Sequence, residues 1–167
     1  FLFAALLCAV FASSQRQAHA GACCYTEMDL SGIWKSVAAE ELQSGLFSAR
    51  EYRFTPKECV LSFTQYRDRE MRLPLFTINA EGSYTVNEAS PKLQGTSHAA
   101  FRIRKRTLTL LTDDAGEIKR LGLQGCDLRK GTAVDISGRG CSVFRPVDAA
   151  PVEYDLVKRE ADLLYFG

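Results

Sequence analysis

The chain has little of several things. It carries one Trp and two His in 167 residues, and its longest uninterrupted apolar run is the twelve residues from Phe1 to Ala12. As a helix at about 1.5 Å per residue that run covers about 18 Å, short of the roughly 30 Å hydrocarbon core, so a spanning anchor is the weaker reading of it. Charge of one sign is also lacking, since 21 Lys and Arg against 20 Asp and Glu leave +1. No global drive toward nucleic acid or an anionic membrane follows. The G-x-S-x-G elbow and the G-x-x-x-x-G-K-[ST] phosphate loop are both missing. So is the N-x-[ST] acceptor, and glycan shielding is not expected. With 46% hydrophobic residues, a wholly disordered chain is excluded.

What is present begins with a leader. The apolar run is followed by Ser13-Ser-Gln-Arg-Gln17 and then Ala18-His19-Ala20, the h-region and A-x-A site of a secretory signal peptide. Residues 1–20 therefore read as a signal peptide whose own start precedes the chain, 21–29 as a lead-in, and 30–167 as one domain. The protein is expected to be secreted and extracellular, or membrane-anchored in a longer form. Removing 20 residues from 167 leaves 147, enough to bury roughly two-thirds of the unfolded chain's surface.

In an oxidising compartment Cys23, Cys24, Cys59, Cys126 and Cys141 read as disulfide partners before metal ligands or nucleophiles. Cys126 and Cys141 are the favoured pair, because each lies beside a Gly-marked turn and a short loop separates them. Closing about 15 residues contributes roughly 3 kcal/mol on the chain-entropy model. Cys59 would then pair with Cys23 or with Cys24, and one thiol stays odd.

Period-two alternation dominates the mature segment. It marks Arg50–Phe54, Cys59–Thr64, Leu75–Ile78, Ser83–Val86, Ala100–Arg104, Thr107–Thr112 and Val152–Leu156 as strands. Turn chemistry punctuates them at Asn79-Ala-Glu-Gly82, Asp113-Asp-Ala-Gly116 and Gly138-Arg-Gly140. Only Ala38–Gln43 looks helical. Such a pattern predicts an all-β fold, one antiparallel sheet closed as a barrel or folded as a sandwich. A small barrel either fills its interior with side chains or encloses one apolar cavity.

Chemistry-bearing residues are sparse. His98 is the single histidine beyond the leader, so a multi-His zinc site is ruled out, and no metal or cofactor is expected. Glu40-Glu41 and Asp113-Asp114 are adjacent acids whose side chains diverge, and Asp113, Asp114 and Glu117 fall short of a calcium cage. A hydrolase built on Glu40, Glu41, Asp113 or His98 is the weakest of the functional readings, and no catalytic residue is assigned. Arg102-Ile-Arg104-Lys105-Arg106 is the one basic cluster, with Lys105 and Arg106 expected in a turn. It reads as a solvated face or as an anion contact for a sulfated glycan or lipid headgroup.

From Leu30 onward the chain resembles a known extracellular family. The likeness rests on Gly32-x-Trp34-x-Ser36, Arg50-Glu-Tyr52-Arg-Phe54, Pro74-Leu-Phe-Thr77-Ile with Gly82-Ser-Tyr84, Leu108-Thr109, Gly125-Cys126 and Gly140-Cys141. It ends on Pro151-Val-Glu-Tyr154-Asp-Leu-Val-Lys-Arg-Glu160 and Leu163-Leu-Tyr-Phe-Gly167. These motifs are similar to the adenomatosis polyposis coli down-regulated proteins, secreted or membrane-anchored antagonists of Wnt signalling. In the family pattern a Cys-Glu follows the first motif and another Cys precedes the Pro-x-x-Thr segment, where this chain has Ala39 and Met71. The resemblance thus implies one lost bridge, with Cys126–Cys141 keeping the other. Relatives carry two such domains and a membrane-spanning tail, and one copy is present in this chain.

The resemblance implies an up-and-down, lipocalin-like barrel that engages a free fatty acyl ligand or the acyl group of a lipidated, Wnt-like signalling protein. Gly32-x-Trp34 is itself similar to the opening strand of lipocalins. Trp34, Phe54, Phe63, Ile78, Tyr84, Phe101, Ile103, Leu110 and Tyr154 are the inward, ligand-lining candidates. The competing reading is an extracellular interaction domain with a filled core and an intermolecular disulfide.

Overall fold

A computed structural model of the chain describes the backbone of residues 8–12 and all of residues 28–42 and 44–167. Ten strands form one antiparallel sheet system: β1 (Cys8–Ala12), β2 (Gly32–Ser36), β3 (Glu40–Glu41), β4 (Phe47–Phe54), β5 (Glu58–Tyr66), β6 (Pro74–Ala89), β7 (Ser97–Leu110), β8 (Ala133–Asp135), β9 (Val152–Glu160) and β10 (Leu163–Phe166). One short helix, α1 (Ala115–Arg120), lies between β7 and β8.

Strands β4 to β7 form a meander, and β2 pairs with β4 at one edge while β9 and β10 extend the other beyond β7. Seven strands, β2, β4, β5, β6, β7, β9 and β10, thus make a nearly closed up-and-down barrel, the all-β architecture that the alternation predicts. Strand β1 lies between its two edges, antiparallel to both, with Val10 opposite Leu164 and Ser36. Part of the run read as a leader is thereby seated as a strand, and cleavage after Ala20 would leave β2 and β10 facing across the gap. Residues 1–7, the A-x-A site, Cys23 and Cys24 lie outside the described residues.

Turn chemistry explains several joints. Between β4 and β5, Thr55 N donates to Glu58 O and Thr55 Oγ1 accepts from Glu58 N, closing a tight hairpin around Pro56. Between β5 and β6, Asp68 caps the loop by accepting from Leu73 N at 2.7 Å and Arg72 N at 3.2 Å.

Other joints differ from the sequence reading. Asn79–Gly82 is no turn, because β6 runs unbroken through Leu75–Ile78 and Ser83–Val86. Its glycine instead serves a bulge, where the register shifts so that Glu81 faces Lys105 and Gly82 faces Ile103, leaving Arg104 as the extra residue. The two backbones approach so closely that a Cβ on Gly82 would lie 2.0 Å from Arg102 O. Lys105 and Arg106 accordingly stay within β7. The Ala38–Gln43 stretch contributes β3, whose Glu40 pairs with Ser48, in place of a helix. Asp113–Gly116 is a helix start, not a hairpin turn, since Asp114 Oδ1 accepts from Gly116 N and Glu117 N at the head of α1.

Two apolar clusters divide the interior. One gathers Leu30, Trp34, Tyr52, Phe54, Cys59, Phe101, Ile103, Val157, Leu164 and Phe166 within the barrel. The other joins Ile78, Phe76, Leu108 and Leu110 to Leu123, Cys126, Ile136 and Cys141 of a cap, the segment 111–150 that follows β7. The Cys126–Cys141 disulfide is formed, as the Gly-marked turns suggested, with Cα atoms 5.6 Å apart.

Candidate functional site

Residues opposite one another in antiparallel strands share a face, so the register reads out the barrel lining. Trp34, Tyr52, Leu61, Ala80 and Arg106 form one inward row around β2, β4, β5, β6 and β7. Phe54, Cys59, Gly82 and Ile103 form the next row on one side, and Arg50, Phe63, Ile78 and Leu108 the next on the other. Trp34 is wholly buried, its indole Nε1 donating to Leu30 O at 2.8 Å while the Arg159 guanidinium lies over its ring at 5.3 Å.

Of the lining candidates, Trp34, Phe54, Tyr84, Phe101 and Ile103 meet in the barrel cluster. Phe63, Ile78 and Leu110 belong to the cluster beneath the cap, so the set is split between two packing environments. Tyr154 is a correction: it is 81% exposed on the outer face. The partners of β9 explain why, because Phe101 and Ala99 are inward and lie opposite Glu153 and Asp155. Tyr52 and Phe166, absent from the candidates, hold the aromatic stack together. Their ring centroids lie 4.6 Å apart, and Tyr52 stacks on Phe54 at 5.5 Å. Tyr52 was legible as the i−2 neighbour of Phe54 on the same strand face. Phe166 depends on the pairing of β10 with β9.

The lining also carries polar groups. Arg50 pairs with Glu40 at 3.4 Å, Ser36 Oγ donates to Glu40 Oε1 at 3.0 Å, and Arg50 N donates to Ser36 Oγ at 2.8 Å. Asp155 Oδ1 accepts from Leu156 N and Gly167 N. Burial nevertheless raises its carboxyl above the ordinary value, the backbone bonds and Arg50 opposing. Burial likewise pushes the Tyr52 phenol upward, its charge neighbours being Arg50, Asp155, Glu153 and Glu40. Ser48 is wholly buried opposite Gln65, and its Oγ has no hydrogen-bond partner among the described residues.

The basic cluster does not act as one patch. Arg104 is committed to Glu58 on the outer surface, whereas Arg106 turns inward, 8% exposed, and reaches Glu153 at 3.0 Å and Arg145 O at 3.1 Å. Arg102 and Lys105 remain on the outer side of β7. Cys59 is a correction as well, a free thiol 4% exposed on the inner face and not a bridge partner. Burial pushes it up from 9.0 to about 11.

The acids and histidine weighed for hydrolysis are scattered. Glu40 is tied to Arg50, Glu41 to Arg69 and Asp113 to Lys130, while His98 is exposed opposite Leu156. Among the described residues no three His, Cys, Asp or Glu side chains form a metal-holding group. None of the described helices is long and apolar enough to cross a membrane.

These features define an antiparallel β-barrel whose lining mixes an aromatic stack with a few charged groups and whose cap is stapled by a disulfide. The chain matches no protein-family model and no curated protein sequence.

Proposed function

We propose that this domain is an extracellular binding module that takes a lipid, or the acyl group of a lipidated signalling protein, into its barrel. The observation that carries the reading lies on β5. Leu61 and Phe63 point inward from the middle of a nearly closed ring, yet both are only partly buried. Arg50, beside Phe63 on the same face, keeps 22% of its side chain exposed. These apolar and charged lining side chains are therefore not wholly packed away from solvent. An acyl chain placed there gains about 0.8 kcal/mol per buried CH₂, on the order of 11 kcal/mol for about fourteen carbons before association costs. The resemblance of Gly32-x-Trp34-x-Ser36 and the β9–β10 ending to Wnt antagonists supports the same ligand class.

Native mass spectrometry of unreduced protein with a palmitoleoylated peptide and its unacylated control tests the proposal. A mass shift confined to the acylated peptide is the expected result, and a Leu61→Trp variant filling the space abolishes it. Equal shifts, or none with folded protein, overturn it.

One observation favours a second reading, a filled barrel acting through its surface. The rings of Tyr52, Phe54, Phe101 and Phe166 already pack on one another, stacked or tilted, with centroids 4.6 to 6.3 Å apart. On that reading the same spectrum reveals a disulfide-linked dimer through Cys23 or Cys24, since Cys59 is sealed inside the barrel.

A further inference from the structure

A recess of about 410 Å³ opens on the cap, away from the barrel lining. Its walls include Gly122, Gly140, Arg139, Arg145, Phe144 and Pro146, beside the Cys126–Cys141 bridge. That volume lies within the range of small-molecule sites.

Backbone shapes the recess. Gly140 sits at φ +67°, and a Cβ there would lie 2.5 Å from Phe144 O; a Cβ on Gly122 would lie 2.8 Å from Ser142 Oγ. Both positions favour glycine for conformation, and Gly140 needs it for room as well, since backbone atoms crowd its Cβ position. Ser142 also occupies the left-handed region, at φ 53°, with its Oγ donating to Leu121 O at 2.9 Å.

Two arginines, Arg139 and Arg145, line the recess. Arg139 is held in place, donating to Asp127 Oδ2 at 3.2 Å and Cys126 O at 3.0 Å. The backbone of Arg145 is anchored by buried Arg106, which donates to its carbonyl oxygen at 3.1 Å. The Arg145 side chain makes no ion pair among the described residues and is exposed. Asp127 is the acidic partner of Arg139, and no ion pair of the described residues neutralises Arg145. The other wall is apolar: Phe144 packs edge-on against Phe76 at 5.7 Å, Pro146 lies beside it, and neighbouring Val143 is 80% exposed.

We propose that this recess binds a small amphiphilic anion, with a carboxylate, phosphate or sulfate group against Arg139 and Arg145 and an apolar portion against Phe144 and Pro146. Arginine presents planar donors matched to such groups, and a partner held by its own hydrogen bonds loses little freedom on binding. The site is separate from the barrel interior and does not depend on the reading given above.

Titration of the disulfide-bonded, isotope-labelled protein with octanoate, 1-octanol and inorganic phosphate, followed by amide NMR, tests it. Octanoate is expected to move Gly122, Gly140 and Arg145, with octanol and phosphate each binding about tenfold more weakly. R145Q weakens octanoate about tenfold without altering the spectrum of the barrel strands. Octanol binding as tightly as octanoate removes the anion contact, and phosphate binding as tightly removes the apolar one; either overturns the proposal. Shifts confined to Phe54 and Phe101 also overturn it and place the ligand in the barrel.

Discussion

The barrel and its cap reach order by different physical routes. Long ladders carry the barrel: β6 and β7 alone pair from Phe76–Leu110 to Ala89–Ser97, and the enclosed side chains include Trp34, Val157 and Leu164 at no exposure. The cap has one short α-helix, a three-residue strand and a single 3-10 turn at Val147–Ala149 over some forty residues. Its order comes from a covalent bridge, a capped helix start and ion pairs, with buried Glu117 bonded to Arg67 of the β5–β6 loop at 2.6 Å and to Arg120. A regular sheet satisfies its backbone internally, whereas an irregular segment must satisfy it through side chains and cross-links. The cap is thus where a recess built on left-handed glycines can exist, because no ladder dictates its path.

The comparison breaks most severely at Trp34. Trp34→Ala removes the largest fully buried side chain, and denaturant unfolding is expected to show a loss of about 3–5 kcal/mol with the cap lost in the same transition. A second cap transition at unchanged midpoint would show the two regions to be independent.

Replacing Cys126 and Cys141 together by Ser is expected to cost about 3 kcal/mol, the value for a closed loop of about 15 residues. Hydrogen exchange should speed in 111–150 while the β4–β7 ladder keeps its protection. Uniform loss of protection would mean that the barrel depends on the cap as much as the cap depends on the barrel.

Smaller still is the helix start. Asp114→Ala removes the acceptor for Gly116 N and Glu117 N, and about 1 kcal/mol of local stability should go with it, read as faster exchange of the α1 amides alone.

The mildest probe is pH. The Cys59 thiol is raised in the folded protein to about 11 from 9.0, so the protonated form is favoured by folding. The stability it contributes is full below pH 9 and is lost as pH rises through 11. Denaturant midpoints measured from pH 8 to 10.5 should fall more steeply in the wild type than in Cys59→Ala, and equal slopes would place Cys59 in contact with solvent.

Much of this was legible in the chain. Alternation at Arg50–Phe54 and Cys59–Thr64 is local, and a strand with one buried face must display it. Asp113–Gly116 misled because an Asp-rich, Gly-containing segment serves a hairpin turn and a helix N-terminus equally well. Asn79–Gly82 misled because glycine marks close backbone approach as readily as a turn. Tyr154 illustrates the limit of periodicity, since alternation says which residues share a face and not which face is inside.

What the sequence by itself determined is the all-β class, strand segments such as Arg50–Phe54 and Cys59–Thr64, and the preference for a Cys126–Cys141 staple, because period, turn chemistry and loop length act between near neighbours. Tertiary structure alone decided that Arg106 turns inward to Glu153, that Cys59 is sealed away from any partner, and that Arg139 and Arg145 meet at one recess. Those outcomes depend on register and on a bulge at Arg104, which are set by pairing between distant segments and are invisible along a single strand.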